Sequence, residues 1–119
     1  MENQKGVQME TKTDKTVAEE ILRQLGGGRF IAMTGAKNFT CDNNSLGFRL
    51  SGTMTKNRIN YVKVTLNAMD TYDLEFVNLR AGKIKLVEKF EGAYNDMLQS
   101  VVSSRTGLAL SLGSLGGAL

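Results

Sequence analysis

The stretch Gly26-Gly27-Gly28-Arg29-Phe30-Ile31-Ala32-Met33-Thr34-Gly35-Ala36-Lys37-Asn38-Phe39 decides how this chain is read, because it joins an apolar helical pattern to a series of strand-like segments. Three consecutive glycines cannot sensibly continue a helix, so they read as a helix stop and a turn. Residues 29–33 are a short apolar run bounded by turn residues, which predicts a strand with a buried face. Residues 34–38 then supply turn chemistry, with Gly35 free to take positive φ and Asn38 able to tolerate it. Such a turn is either a ligand-contact point or a plain reversal between two strands. It is not a phosphate loop. A Walker loop needs two glycines four residues apart, then Lys and a hydroxyl residue, then a helix. Here Asn38 stands in the hydroxyl position and strand-like sequence follows. A dinucleotide fingerprint fails as well, since the glycines precede a strand rather than follow one.

Upstream, residues 1–15 are polar and aperiodic and read as a mobile N-terminal arm. Thr16 and Glu19 have the spacing of a capping box, and Val17, Ile21 and Leu25 recur every four residues as the stripe of a short amphipathic helix. Downstream, Leu46, Phe48 and Leu50 alternate with Gly47 and Arg49. Val62, Val64 and Leu66 alternate with Tyr61, Lys63 and Thr65, and Tyr72, Leu74 and Phe76 with Asp73, Glu75 and Val77. A turn at residues 80–83 leads to a fifth strand in which Ile84 and Leu86 alternate with Lys83, Lys85 and Val87. Glu91-Gly92 is read as opening a second helix, whose stripe is Tyr94, Met97, Leu98, Val101 and Val102, with Arg105 in the last turn and Gly107 closing it.

The fold class predicted is therefore α+β in a single domain, residues 16–107: a helix, a mainly antiparallel five-stranded sheet and a second helix, both helices on one face. The opposite face is expected to be open, polar and charged. Residues 108–119 form a Gly/Leu-rich tail.

Composition narrows the chemistry. The chain has 119 residues, 41% hydrophobic and 23% charged, which suits one globular domain. With no histidine it lacks the commonest general base and transition-metal ligand. Its one cysteine, Cys41, excludes an internal disulfide and a cysteine-built zinc site, and reads as a partly buried thiol. No enzyme, metal or cofactor is expected. No apolar run is long enough to span a membrane, and no secretory segment opens the chain, so a cytoplasmic protein without a membrane partner is expected.

Net charge is +3, unevenly spread. Between residues 21 and 60, Arg23, Arg29, Lys37, Arg49, Lys56 and Arg58 face only Asp42. The expected function is accordingly that of a small accessory binding protein contacting nucleic acid through this basic hairpin region. Arg29, Lys37, Asn38, Arg49, Lys56 and Arg58 would touch phosphates, and Tyr61 would be a stacking platform. Lys63, Lys83 and Lys85 are expected to be paired across strands with Asp73 and Glu75 on the outward face. The alternative is a non-catalytic protein-interaction module, a factor that binds or inhibits a host protein through the open sheet face or an edge strand.

Several segments taken together, Leu25-Gly26-Gly27, residues 29–38, Met69-Asp70-Thr71-Tyr72, Glu91-Gly92-Ala93-Tyr94 and Thr106-Gly107-Leu108, resemble a group of small uncharacterised proteins encoded by bacteriophages and other mobile elements. The resemblance covers roughly residues 17–112 and rests most on Met33-Thr34-Gly35-Ala36-Lys37-Asn38. It implies a phage or prophage source and action inside a bacterial host cell. It carries no assigned activity, so it transfers no catalytic residue.

Overall fold

Two helices, a five-stranded antiparallel meander and a third helix follow one another in the structure, a computed structural model that describes residues 15–108. The elements are α1 (Thr16–Leu25), α2 (Gly27–Thr34), β1 (Lys37–Asp42), β2 (Ser45–Arg49), β3 (Tyr61–Leu66), β4 (Tyr72–Arg80), β5 (Lys83–Ala93) and α3 (Leu98–Thr106). Short 3-10 turns at Lys56–Arg58 and Asn95–Met97 complete the set. The strands pair in sequence order, each antiparallel to the next. This is the α+β single domain expected. The readings of residues 1–14 and 109–119 as arm and tail lie outside the described residues.

The opening stretch folds differently from its reading. Residues 29–33 are helical, not a strand, and the first strand is Lys37–Asp42 instead. Gly26 (φ 125°) caps and ends α1 at Leu25, the helix stop expected, but a second helix, α2, follows at once where a strand was expected. Within α2 the buried residues are Phe30 and Thr34, four apart, while Arg29 and Ala32 are exposed. That is a helical period, and it lowers Phe30 edge-on against Phe48 of β2, with ring centroids 5.2 Å apart. Burial of one large aromatic thus overrides the poor helix propensity of the glycines. Thr34 closes the helix from inside: its hydroxyl donates to Phe30 O at 2.8 Å and accepts from Ala36 N at 3.1 Å. Gly35 then takes the left-handed conformation expected of it (φ 73°), as a helix cap rather than a strand reversal.

The first turn of α1 also departs from its reading. Lys15 holds the N-cap position and Thr16 is already helical, so the capping box at Thr16 is not formed. At the other end of the chain β5 runs on to Ala93, past the predicted helix start at Glu91-Gly92. Gly92 (φ 80°) bulges the strand, its N–H donating to Asp73 Oδ1 at 3.1 Å. The helix begins only at Leu98, which leaves Tyr94 63% exposed rather than in the buried stripe.

One face of the sheet carries Leu46, Phe48, Val62, Val64, Leu74 and Phe76, which form a single core with Ala18, Ile21 and Leu25 of α1, Phe30 of α2, and Leu98, Val101 and Val102 of α3. All three helices therefore lie on that face. Arg105 crosses back to β5, with Nε 2.9 Å from Glu88 Oε1 in an ionic contact that lacks hydrogen-bond alignment, and its guanidinium 5.5 Å from the Phe90 ring centre.

The helix register makes a direct prediction. Leu98→Ala should cost about 2–5 kcal/mol, the range for a fully buried leucine. Tyr94→Ala should cost less than about 0.5 kcal/mol, as for an exposed side chain. Denaturant unfolding of the two variants separates this arrangement from one in which Tyr94 packs on the sheet.

Candidate functional site

Strand β3 stops pairing with β4 at Tyr61 opposite Val77. Beyond that point β4 and β5 continue as a two-stranded ribbon, with Asn78 opposite Lys85, Leu79 opposite Ile84 and Arg80 opposite Lys83. The ribbon projects about 10 Å past the last β3 rung, at the usual rise per strand residue. Asn60 braces its root in place of a further strand. Its backbone N–H donates to Val77 O at 3.0 Å, and its side-chain amide donates to Leu79 O at 2.9 Å and accepts from Leu79 N at 2.7 Å. The tip is a two-residue turn, Ala81-Gly82, with both residues at positive φ (52° and 78°), a conformation that keeps the twist of the flanking strands.

An irregularity lower in β5 decides which way the ribbon's side chains face. Phe76 pairs with Glu88 but Val77 pairs with Leu86, so Val87 is an extra residue, a β-bulge. Because side chains alternate, a one-residue slip exchanges the faces of everything beyond it. Ile84 and Leu86 are thereby placed on the outer face, opposite Leu79 and Val77, and are 77% and 51% exposed. Lys83 and Lys85 pass to the helix-side face.

The loop between β2 and β3 stands across from that cationic face. Between them lie two adjoining open clefts of about 780 Å³ each, which share Asn57, Arg58, Asn78 and Arg80. Lys83, Lys85, Leu86 and Val87 line the first, Thr53, Thr55 and Leu79 the second, and among the described residues no Asp or Glu lines either. The Asn78 amide ties the two walls together by donating to Arg58 O at 2.7 Å. Arg58, Arg80, Lys83 and Lys85 are all exposed and form no ion pair among the described residues. Five non-glycine residues among those described have positive φ, and three of them, Asn57, Arg58 and Ala81, line this cleft. Backbone strain of this kind concentrates where a local shape is needed for binding. The cleft is concave and cationic, with Leu86 and Val87 as its apolar part, and no aromatic side chain among the described residues lines it.

The cross-strand compensation expected for Lys83 and Lys85 does not occur. Glu75 faces Lys63 on one side and Lys89 on the other, while Lys85 faces Asn78 and Lys83 faces Arg80. Lys89 is further neutralised by Glu91 at 3.1 Å, whose carboxylate holds the ammonium above its ordinary pKa range. Lys63 lies 4.0 Å from Asp42. Charge balance thus governs the middle of the outer face and stops short of the ribbon.

Of the seven residues singled out from the sequence, Arg58 alone joins the cleft wall. Lys56 lies in the same 3-10 turn, but its stem runs against Gly107 and its Nζ donates to Ser104 O at 3.1 Å. Lys37, Arg49 and Tyr61 form one row across the outer face, and Arg49 Nε donates to Asn60 O at 3.3 Å. Asn38 (φ 54°) occupies an irregularity at the start of β1, and Arg29 is exposed on α2, so neither meets the others. Arg80, Lys83 and Lys85 went unnoticed as site residues. The usable signal was the absence of any acid between Glu75 and Glu88.

Tyr61 is held down rather than displayed. Its ring lies over Gly47, where an added β-carbon would sit 2.0 Å from the phenol oxygen and 2.8 Å from both the ring Cζ and Thr40 Oγ1. Gly47 is the seat of that ring, and the Tyr61 hydroxyl lies 3.4 Å from the Thr40 hydroxyl. Among the described residues no three His, Cys, Asp or Glu side chains come together to hold a metal, and no helix is long and apolar enough to cross a membrane. Comparison with protein-family models, with curated proteins and with solved structures returns no match.

Gly47→Ala should expel the Tyr61 ring and destabilise the fold by about 1–3 kcal/mol, as overpacking does. In a double-mutant cycle, Gly47→Ala combined with Tyr61→Ala should cost less than the sum of the two single changes. Strict additivity would show that ring and glycine are not in contact.

Proposed function

We propose that this chain is a small non-catalytic binding protein whose ligand is the phosphate backbone of nucleic acid, held in the cleft between residues 56–58 and the β4–β5 ribbon. The observation that carries the proposal is the convergence of Arg58, Arg80, Lys83 and Lys85 on one concave surface that, among the described residues, no carboxylate lines. Four cations held at one place without an ion pair among the described residues repel one another, and a polyanion's charge relieves that repulsion while its released counterions add an entropic gain. The nearest acid toward the sheet, Glu88, is already engaged by Arg105. Three cleft-lining residues in left-handed backbone conformations further support a surface shaped for a ligand. The resemblance to phage-encoded proteins supplies a setting, an accessory factor acting inside a bacterial host.

Recognition of a protein partner by strand addition has less support. The β5 edge carries Lys83, Lys85 and Lys89 and the bulge at Val87, and β1 is irregular at its start. Both are devices that discourage edge-to-edge pairing.

Binding of a labelled mixed-sequence oligonucleotide, followed by fluorescence anisotropy across a salt series, tests the proposal. Affinity should fall linearly on a log–log plot. Replacing Arg58, Lys83 and Lys85 with Gln should flatten the slope by about 3, roughly one unit per lost phosphate contact. Replacing Arg29, Lys37 and Arg49 with Gln should flatten it by less than about 1. Absence of binding at low salt overturns the nucleic-acid reading, and equal effects of the two triple variants overturn the cleft as its site.

A further inference from the structure

We infer that the ligand is double-stranded DNA and that residues 78–86 seat as a two-stranded ribbon in its major groove, an inference that rests on the nucleic-acid reading above and narrows it. Three observations carry it.

The first is shape. The ribbon runs on past the last paired residue of β3, is braced at its root by Asn60 and tied to the facing loop by the Asn78–Arg58 bond, and is two strands wide. Paired strands lie about 4.8 Å apart, so with its side chains a ribbon of this kind fits a major groove about 12 Å wide, which admits a helix or a two-stranded ribbon. The major groove of A-form RNA is too deep and narrow to receive it.

The second is what the cleft lacks. Proteins that hold single strands do so with aromatic platforms on which bases stack, beside a cationic track. Here the cationic track is present and no aromatic side chain among the described residues lines it. Tyr61, the aromatic residue singled out from the sequence, is on the opposite face and occupied with Gly47. Cations without platforms suit a ridge of phosphates whose bases remain paired.

The third is the pair Ile84 and Leu86. They are large, apolar and exposed, and the bulge at Val87 places them on the ribbon's outer face, where Leu86 also borders the rim of the cleft. Water is a poor environment for them, whereas the major groove presents thymine methyl groups to apolar side chains. Arg80, Lys83 and Lys85 leave the ribbon on the other face, on side chains long enough to reach phosphates at the groove mouth. Arg58 stands across the cleft on a separate loop, placed to close on the same backbone ridge. One ribbon therefore carries base-edge contacts on one face and backbone contacts on the other, the division of labour by which phosphate contacts position and base contacts specify.

The test compares full-length protein binding to a DNA duplex, an RNA duplex of the same sequence and the corresponding single DNA strand, at one salt concentration. The DNA duplex should bind at least about tenfold more tightly than either competitor, a gap that one or two good base-edge contacts can supply. The double variant Ile84→Ser with Leu86→Ser should lose most of that preference while keeping the wild-type salt slope, because it removes no charge. Both residues are exposed, so the variant should retain wild-type thermal stability. Equal or tighter binding of the single strand or the RNA duplex overturns the groove-seated ribbon and leaves the phosphate reading standing, as does an undiminished preference in the double variant. Failure to bind all three overturns both, and a protein partner for the Ile84–Leu86 face then takes their place.

Discussion

The extra residue in β5, Val87, governs what this molecule presents to its surroundings. Below it, between Val87 and the second bulge at Gly92, the strand alternates as an ordinary covered sheet does, with Glu88 and Phe90 turned to the helices and Lys89 to water opposite Glu75. Above it every side chain changes sides. Without the bulge, Ile84 and Leu86 would continue the helix-side face, and Lys83 and Lys85 would join the balanced charges of the open face. With it, the lysines meet Arg58 and Arg80 in a cleft and the aliphatic pair faces outward. One residue of register thus separates a neutral meander from a polarised ribbon.

That arrangement depends on a rigid platform. Phe30, Phe48 and Phe76 are fully buried, and α1, α2 and α3 together cover one face of the sheet. The loop opposite the ribbon is anchored at both ends: Leu50 N donates to Asn60 O at 2.9 Å, and Thr55 Oγ1 donates to Ile59 O at 2.6 Å. Lys56 fastens its outer turn to the end of α3. These bonds hold Asn57 and Arg58 in backbone conformations that side chains ordinarily avoid. The backbone that carries Arg58 to the cleft is consequently set by the fold.

Strands β2, β3 and β4 and the one-sided helical cover were legible in the sequence because each has a clean period, such as Val62-Lys63-Val64 or Ile21 with Leu25. Residues 29–33 were misread because a five-residue apolar run fits a strand and a helical turn equally well. Only the tertiary fact that Phe30 meets Phe48 settles it. Glu91-Gly92 was misread for a related reason: a glycine that stops one element can as well bulge another, and here the Asp73 carboxylate secures the bulge. The basic character of the region around Arg58 was visible in the residue order. The cleft was not, since a β-bulge leaves no compositional mark and period-2 reasoning carried straight across Val87. Tyr61 was visible as an aromatic on a polar face, but its seat on Gly47 depends on a cross-strand neighbour.

The central claim is that the concave side of the ribbon and the loop facing it form a single binding surface. Mapping amide chemical-shift changes in labelled protein as a DNA duplex is added tests this most directly. The account predicts that the largest changes fall on residues 56–58 and 78–87, with Lys37, Arg49 and the helical layer nearly unmoved. Changes centred instead on the row Lys37, Arg49 and Tyr61, with the ribbon silent, would contradict it.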